Sequence, residues 1–340
     1  MALGISPSSA ARSVHDAGRR IRKILAALVS LLLAGALAAC GLGTAGGYTP
    51  SGTLAGPIAD IDLDGATVSV GSKNFTEQII LGKMAVSLFE SAGAQVQDLT
   101  NAPGSNTSRE AMLSGDITFA WEYTGTAWVS YMAEDNPIPD ERKQYEAVRD
   151  KDLAENNLVW LPPAPMNNTY GFALTRANAE RLGISKLSEI SSVPENEQSF
   201  CVESEFASRN DGFQPMLETY DIPAPPADRV STLDTGTVYA ATAGGTCTFG
   251  EVFTTDGRIL ALDLVVLEDD RQFFPKYNLS GVVNGELIDE YPQIADLLGP
   301  VSEKLTNDVL LKLNAKVDVD GEDPADVAFN WLTQEGFIEG

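Results

Sequence analysis

The chain has 340 residues, with 48 acidic against 23 basic side chains, and therefore a net charge of −25. Nucleic acids and anionic lipid surfaces repel a protein this acidic, so neither is an expected partner. The single histidine, His15, lies near the start, which excludes catalytic triads, histidine general bases and histidine-ligated zinc from the rest of the chain. Paired carboxylates could still support hydrolysis, but the composition disfavours an enzyme.

Residues 1–39 have the pattern of a secretory signal peptide. A basic stretch at positions 19–23 precedes an apolar run, Ile24 to Ala36, that is too short for a permanent membrane span. The following Leu37-Ala38-Ala39-Cys40 resembles a bacterial lipobox, in which the cysteine is lipidated and becomes the mature N-terminus. An ordinary signal peptide with an incidental cysteine is the alternative. We expect Cys40 to anchor the protein to the outer face of the cell membrane through its lipid alone.

Processing changes both the charge and the length that must fold. Residues 1–39 hold five basic residues and one aspartate, so 18 basic and 47 acidic residues remain, with a net charge of −29. The remaining length, about 300 residues, suffices for one large domain or two of ordinary size. Residues 40–61 are rich in Gly, Thr, Pro and Ala, a composition that predicts a flexible tether behind the lipid.

Ordered structure is predicted from Ala66 onward. Residues 66–70 alternate with the two-residue period of a strand. Asn74 and Glu77 have the spacing of a capping pair at the start of a helix, which would bury Ile80 and its neighbours one turn apart. Further strands and helices then alternate, which predicts an α/β fold with mostly parallel sheets flanked by helices. The later predicted elements are a strand at 94–99, a helix opened by Thr107, strands at 117–121, 170–175 and 260–267, a helix at 178–182, and a last helix begun by Asp323 and Pro324.

Two cysteines remain besides Cys40. Cys201 and Cys247 each lie in a short strand-like run. Outside the cytoplasm an even pair favours a disulfide over a metal site or a nucleophile. The two sulfurs can meet if these strands are neighbours, and two buried free thiols are the alternative.

Three loops combine polar and aromatic residues: 71–78, 121–126 and 206–212. The first two follow predicted strands directly, and ligands of open α/β sheets bind at the carboxyl ends of strands. Each loop taken alone is explained equally well by capping or turn formation. Together they indicate a binding cleft.

In these segments the chain resembles the extracytoplasmic substrate-binding proteins of quaternary-ammonium ABC importers, which take up glycine betaine, carnitine or choline. The resemblance implies a two-lobed periplasmic-binding-protein type II clamshell, with residues 62–168 and 270–340 in lobe 1 and residues 169–269 in lobe 2. The matching segments are, in chain order, GSKNFTEQ (71–78), WEYTGT (121–126), NNTYGFAL (167–174), EFASRNDG (205–212), FTTDGRI (253–259), VVLEDDRQFFPKY (265–277) and KVDVDGEDPADVA (316–328).

The resemblance also implies a set of ligand-binding residues. In that family a box of aromatic rings holds the trimethylammonium group, while basic and hydroxyl side chains hold the carboxylate. A quaternary ammonium has no N–H to donate, so ring faces are the groups that can recognise it. Two positions depart from the family: relatives often carry tyrosine at 253 and, in some cases, aspartate at 168. By motif position the box is Tyr123, Tyr170, Phe253 and Tyr277, and the carboxylate end is Lys73, Thr126 and Arg209.

The function implied is a receptor that captures a glycine betaine-like solute between its lobes and delivers it to an ABC permease. We expect a monomer without a cofactor, a metal ion or catalytic residues. Several alternatives stay open: a receptor for choline or another cationic solute, a surface-anchored hydrolase that depends on two carboxylates, and an adhesive or structural lipoprotein. The sequence does not rank glycine betaine, proline betaine, carnitine and choline as ligands.

Overall fold

The structure is a computed structural model that describes Met1, residues 47–134 and residues 138–340. The predicted signal peptide, the predicted lipidation site Cys40 and the first part of the predicted tether lie outside the described residues. Within the described ranges, no helix is both long enough and apolar enough to cross a bilayer.

The described part of the predicted tether is packed against the body. Strand β1 (Thr53–Leu54) pairs antiparallel with β12 (Ile338–Glu339), and a helical turn, Gly56–Ile58, follows. Ile58 is fully buried, so its apolar side chain ties this stretch to the core. Order therefore begins before Ala66, and the flexible-tether prediction does not hold for residues 53–58.

Two five-stranded sheets organise the described part of the chain. The strands of the first sheet are β2 (Thr67–Lys73), β3 (Gln95–Ala102), β4 (Phe119–Tyr123), β5 (Leu158–Trp160) and β11 (Leu279–Asn284). The strands of the second sheet are β6 (Tyr170–Thr175), β7 (Phe200–Glu203), β8 (Val230–Leu233), β9 (Phe249–Phe253) and β10 (Leu264–Val266). The spatial order is β3-β2-β4-β11-β5 in the first sheet and β10-β6-β9-β7-β8 in the second.

Helices connect and flank these strands. In chain order they are α1 (Thr76–Ser91), α2 (Gly104–Ser114), α3 (Thr124–Thr126, continued by a wider π-helical turn, Ala127–Tyr131), α4 (Glu141–Asn156), α5 (Arg176–Leu182), α6 (Ser204–Ser208), α7 (Phe213–Thr219), α8 (Thr235–Ala243), α9 (Arg258–Ala261), α10 (Gly285–Glu290), α11 (Gln293–Ser302), α12 (Asn307–Asp318) and α13 (Pro324–Gln334). Shorter 3₁₀ turns occur at Leu187–Ser192, Glu195–Glu197 and Ala227–Arg229.

The α/β class is confirmed, but both sheets are mixed rather than mostly parallel. Strand β2 is parallel to β3 and β4, whereas β11 is antiparallel to β4 and β5. In the second sheet β7 is parallel to β8 and β9, whereas β6 is antiparallel to β9 and β10. The antiparallel strands are those next to the two points where the chain crosses between the sheets. A strand entering from the other sheet is not bound by the crossover geometry that makes neighbouring βαβ strands parallel.

Individual elements agree with the sequence to different degrees. The strand at 170–175 is confirmed, as is the last helix, where the side chain of Asp323 accepts a hydrogen bond from the amide of Ala325 at 2.8 Å. The predicted strand at 260–267 is wrong in its first half, because residues up to Ala261 complete helix α9. Asp263, at a φ of 51°, turns the chain into the short strand β10.

Cys201 lies in β7, and Cys247 precedes β9, the neighbouring strand. Their sulfurs are 1.97 Å apart and their Cα atoms 5.7 Å apart, which makes them a disulfide. The bond closes a loop of 46 residues, which in the chain-entropy description stabilises the fold by about 4 kcal/mol.

Candidate ligand-binding site

A cavity of about 400 Å³ lies where strands of the two sheets end. Lys73 and Tyr123, the last residues of β2 and β4, line it from the first sheet. Glu203 and Phe253, the last residues of β7 and β9, line it from the second. The volume falls within the range of about 300–1,000 Å³ that is typical of small-molecule sites. The parallel strands of both sheets thus direct their carboxyl ends to one site.

The four predicted box residues all line this cavity, and three of them are in ring contact. The ring centroid of Tyr170 is 5.3 Å from that of Phe253 and 5.4 Å from that of Tyr277. Phe75, which the sequence did not single out, joins the group: its ring is 5.1 Å from Phe253 and 6.3 Å from Tyr123. The result is a continuous aromatic wall built from both sheets.

Glycine at position 125 allows part of this wall to form. A Cβ atom there would lie 2.7 Å from the carbonyl oxygen of Lys276 and 2.8 Å from the ring of Tyr277. Only glycine therefore lets helix α3 approach the segment that carries Tyr277. Thr126, the next residue, also lines the cavity, and its role at the carboxylate of a ligand stays a prediction.

Two of the box tyrosines donate their hydroxyls to buried carboxylates. Tyr123 donates to Oε1 of Glu77 at 2.6 Å, and Tyr277 donates to Oδ2 of Asp211 at 2.6 Å. Burial, reinforced by the adjacent carboxylate, raises the pKa of both phenols well above the usual value. Both therefore stay protonated, and each hydrogen bond fixes the orientation of a ring.

Glu77 does not form the predicted capping pair with Asn74. Helix α1 begins at Thr76 with Phe75 at its N-cap, without a side-chain cap. The side chain of Asn74 accepts instead from the amide of Gly104 at 3.4 Å. The carboxylate of Glu77 is turned inward, where four side-chain donors bind it.

Four donors surround the buried carboxylate of Glu77. Oε1 accepts from Tyr123 and from Nδ2 of Asn168 at 2.9 Å. Oε2 accepts from the hydroxyl of Thr255 at 2.6 Å and from Nδ2 of Asn314 at 3.2 Å. Burial raises the pKa of Glu77, while these hydrogen bonds act against the rise. The carboxylate thereby links four parts of the fold. These are the end of β4, the segment before β6, the residues just after β9 and helix α12.

The predicted basic residues are both engaged in ion pairs. Nζ of Lys73 lies 2.8 Å from Glu122 and 4.9 Å from the ring centroid of Tyr123, and Lys73 lines the cavity. Arg209 is not among the residues lining the cavity. It binds Asp211 through two hydrogen bonds of 2.6 and 2.7 Å and approaches Glu205 at 3.1 Å.

Arg209 is nevertheless part of the site's construction. Its guanidinium carbon lies 5.4 Å from the ring centroid of Tyr170, on which it packs. Asp211, which it orients, accepts the hydroxyl of Tyr277. Arg209 thus supports two rings of the wall from behind.

Acidic residues that the sequence did not predict also face the cavity. Glu203 and Glu205 line it, and Oε2 of Glu205 accepts from the amide of Ser105 at 2.9 Å in the first turn of α2. Burial opposes ionisation of Glu205, but the charges of Lys73 and Arg209 outweigh it and hold the pKa below its usual value. Because both basic groups are already paired, the surroundings of the cavity favour a positively charged ligand.

Residues 47–134 and 138–340 hold no group of three or more His, Cys, Asp or Glu side chains placed to bind a metal ion. The rings, the paired charges and the hydroxyls can bind and orient a small solute.

Known proteins are similar to this chain in sequence and in fold. Residues 66–334 match the family described as the substrate-binding domain of the ABC-type glycine betaine transport system. The glycine-betaine-binding protein of Pseudomonas aeruginosa is 36% identical over 281 residues, which cover 80% of this chain and 89% of the relative. The ergothioneine transport permease/ergothioneine binding protein EgtU of Helicobacter pylori is 30% identical over 78% of this chain, which spans 47% of that protein.

A solved structure is similar in fold. A crystal structure of a glycine betaine/carnitine/choline ABC transporter protein superposes with a TM-score of 0.65 at 25% identity, covering 80% of this chain and all of the other. The family match extends over both sheets and the C-terminal helices. The chain belongs to the family of substrate-binding domains of ABC-type glycine betaine transport systems, and its fold is their two-lobed clamshell.

Proposed function

We propose that this protein is an extracytoplasmic receptor that captures a quaternary ammonium solute of the glycine betaine type and delivers it to an ABC permease. The observation that carries the proposal is the aromatic wall, whose rings come from both sheets and enclose one cavity. Members of the family are binding components of transporters rather than enzymes, and we propose the same for this chain.

The wall can supply the affinity that capture and release need. Each ring face attracts a diffuse cation by about 0.5–1 kcal/mol when exposed and by ~2 kcal/mol when desolvated. Three or four desolvated rings therefore contribute on the order of 6–8 kcal/mol, from which ordering and association subtract several kcal/mol. Polar contacts from Lys73 and Thr126 add to the total, so a dissociation constant around micromolar is expected, equivalent to about 8 kcal/mol.

Closure of two lobes explains why the rings come from both sheets. We propose lobe boundaries at residues 62–168 and 270–340 for lobe 1 and 169–269 for lobe 2. Neither lobe alone surrounds a cation, so ligand contacts favour the closed form. The crossing segments, 161–169 and 267–278, would act as the hinge, and the closed form would dock on the permease. We further propose a monomer that is anchored through lipidated Cys40. Membrane fractionation of a Cys40→Ser variant would test the anchor.

Choline or a similar cation is the second candidate, and the charge around the cavity favours it. Lys73 and Arg209 are both neutralised by carboxylates, while Glu203 and Glu205 add negative charge. A ligand with a cation and no carboxylate would fit these surroundings without displacing an ion pair.

Calorimetric titration against glycine betaine, proline betaine, carnitine, choline and ergothioneine tests the function. We expect at least one of these to bind with a dissociation constant near micromolar, about 1–10 μM, and to be recovered unchanged. Glycine and ethanolamine, which lack the three methyl groups, serve as controls and should bind at least a hundredfold more weakly. Absence of binding by every quaternary ammonium, or turnover of one of them, would contradict the proposal.

A substitution of Lys73 should distinguish ligands that carry a carboxylate, such as glycine betaine, from ligands that do not, such as choline. Lys73 is the basic residue among those that line the cavity. In a Lys73→Gln variant we expect the affinity for glycine betaine to fall about tenfold, the loss of one charge-assisted contact. The affinity for choline should change less than threefold. Thr126→Val is the matched control for the loss of an uncharged contact. Equal loss for both ligands in titration calorimetry would show that Lys73 acts on the shape of the site and not on the carboxylate.

A further inference from the structure

Glu77 differs in its partners from the carboxylates that pair with the two basic residues of the site. Glu122 is paired with Lys73, and Asp211 with Arg209. The ion pairs among the described residues do not include Glu77, whose carboxylate is bound by neutral donors only. Of the two carboxylates that accept a hydroxyl from a box tyrosine, Glu77 is thus the one whose charge no basic side chain cancels.

The donor pattern around Glu77 fits the ionised form. Each carboxylate oxygen accepts two hydrogen bonds, and the four donors are two hydroxyls and two amide groups. A carboxylate can accept all four, whereas protonation would require one of the two hydroxyls, that of Tyr123 or Thr255, to turn and accept the carboxyl O–H instead. Burial acts in the other direction and raises the pKa of Glu77. A cationic ligand in the cavity would add the positive charge that the buried group lacks.

Only one layer of side chains separates Glu77 from the cavity. Tyr123 and Asn168 line the cavity, and both donate to the same oxygen of Glu77. A phenol that donates to an anion gains electron density, which strengthens the attraction of its ring for a cation. The charge itself also acts directly on the ligand, because the interior screens it less than water would.

The second tyrosine–carboxylate pair of the box lacks this property. Tyr277 donates to Asp211 with the same geometry, at 2.6 Å, but Arg209 holds both oxygens of Asp211. Arg209 therefore cancels the charge of Asp211. The hydrogen bond from Tyr277 to Asp211 fixes the orientation of the ring but adds no negative potential at the cavity. The two pairs provide an internal comparison within one site.

We propose that Glu77 determines specificity for the charge of the ligand: its carboxylate, buried behind Tyr123, makes the box prefer a quaternary ammonium over a neutral group of the same shape. This inference rests on the proposed function, since it assumes that the box holds such a ligand. Glu77 acts through Tyr123 and through its field, and it does not touch the ligand.

The test compares charged ligands with their carbon isosteres. Glycine betaine is paired with 3,3-dimethylbutanoate, and choline with 3,3-dimethylbutan-1-ol, in which carbon replaces the charged nitrogen. Titration calorimetry on the full mature chain gives the affinity ratio within each pair. In Glu77→Gln we expect the affinity for the ammonium ligand to fall about tenfold or more, while that for its isostere stays within threefold, so the ratio collapses.

Two further variants make the outcome decisive. Tyr123→Phe keeps the carboxylate and its other three donors, so the ratio should fall by a smaller factor, about two- to fivefold. If Glu77→Gln does not fold, as judged by thermal melting, Tyr123→Phe still tests whether Glu77 acts on the ligand through this ring. Phe253→Leu removes a ring without a carboxylate and should weaken both members of a pair. Equal losses for ammonium and isostere in Glu77→Gln, or an unchanged ratio in Tyr123→Phe, would overturn the inference. Failure of the wild type to bind any quaternary ammonium would instead overturn the proposed function.

Discussion

Replacing Tyr170 by alanine is expected to weaken binding of the preferred quaternary ammonium by about 10- to 100-fold, or about 1.4–2.7 kcal/mol. Tyr170 is the central ring of the wall, so its removal takes away one cation-binding face and the support of its neighbours. The rings that it contacts are Phe206, Phe253, Phe274 and Tyr277. Tyr170→Phe keeps the ring and should change the dissociation constant less than threefold, as measured by titration calorimetry.

Tyr291→Ala is the matched control for the loss of a tyrosine ring. Tyr291 is partly buried against the core and does not line the cavity. We expect Tyr291→Ala to lower the melting temperature without changing the affinity for the quaternary ammonium ligand. If Tyr170→Ala bound the ligand as well as the wild type, or if Tyr291→Ala lost as much affinity, the aromatic wall would not be the binding site.

The sequence predicts the parts of the site that local rules control. Lys73 and Tyr123 end strands that two-residue alternation and strand–helix alternation reveal, and strand ends of open sheets converge. The motif resemblance then selects Tyr170, Phe253 and Tyr277 from the other aromatic residues. The structure brings these side chains to one cavity. Position at the end of a strand was sufficient for Lys73 and Tyr123, because the backbone direction fixes where a strand's last residue lies. Tyr170 begins β6 and Tyr277 precedes β11, so only the resemblance selects these two rings.

The partners of the charged residues were not predictable in this way. Glu77 and Asn314 are 237 positions apart, and only the folded chain brings them within hydrogen-bond distance. Arg209 was expected at the ligand's carboxylate, but Asp211, two residues later, holds it with two hydrogen bonds. A nearby fixed carboxylate satisfies a guanidinium whether or not a ligand is present. Spacing in sequence predicts a charge near the site, and not which charge it faces.

Phe75 is an aromatic residue of the site that the sequence pattern did not predict. It lies within the segment 71–78, between Asn74 and Glu77, the two residues of the capping-like pair. Interpretation of Asn74 and Glu77 as helix capping left no role for the ring between them. Once Glu77 is turned inward, Phe75 becomes the N-cap residue and its ring meets Phe253. The misplaced cap and the missed ring therefore have one cause.

Glu251→Gln is expected to stabilise the protein at alkaline pH and to have little effect near pH 4.5. Glu251 is 2% exposed in β9, where one oxygen accepts from the amide of Glu203 at 3.0 Å. Burial, supported by nearby carboxylates with Glu203 first among them, raises its pKa to about 8, while the amide hydrogen bond acts against the rise. Glutamine has the shape of the protonated side chain, can accept the same hydrogen bond and cannot ionise.

The sign of the effect follows from proton binding by the two states. Between pH 4.5 and 8 the folded protein keeps the proton of Glu251, while the unfolded chain has lost it. The unfolded state then binds fewer protons, so the free energy of unfolding falls as the pH rises through this window. A rise of the pKa by about 3.5 corresponds to a loss of about 5 kcal/mol in the free energy of unfolding, which is complete above pH 8.

Chemical denaturation at pH 4.5 and pH 8.5 measures the difference in the free energy of unfolding between the Glu251→Gln variant and the wild type. Glu303→Gln removes an exposed carboxylate as the control and should change little at either pH. A gain for Glu251→Gln that is the same at both values would mean that Glu251 does not hold a proton in the folded protein.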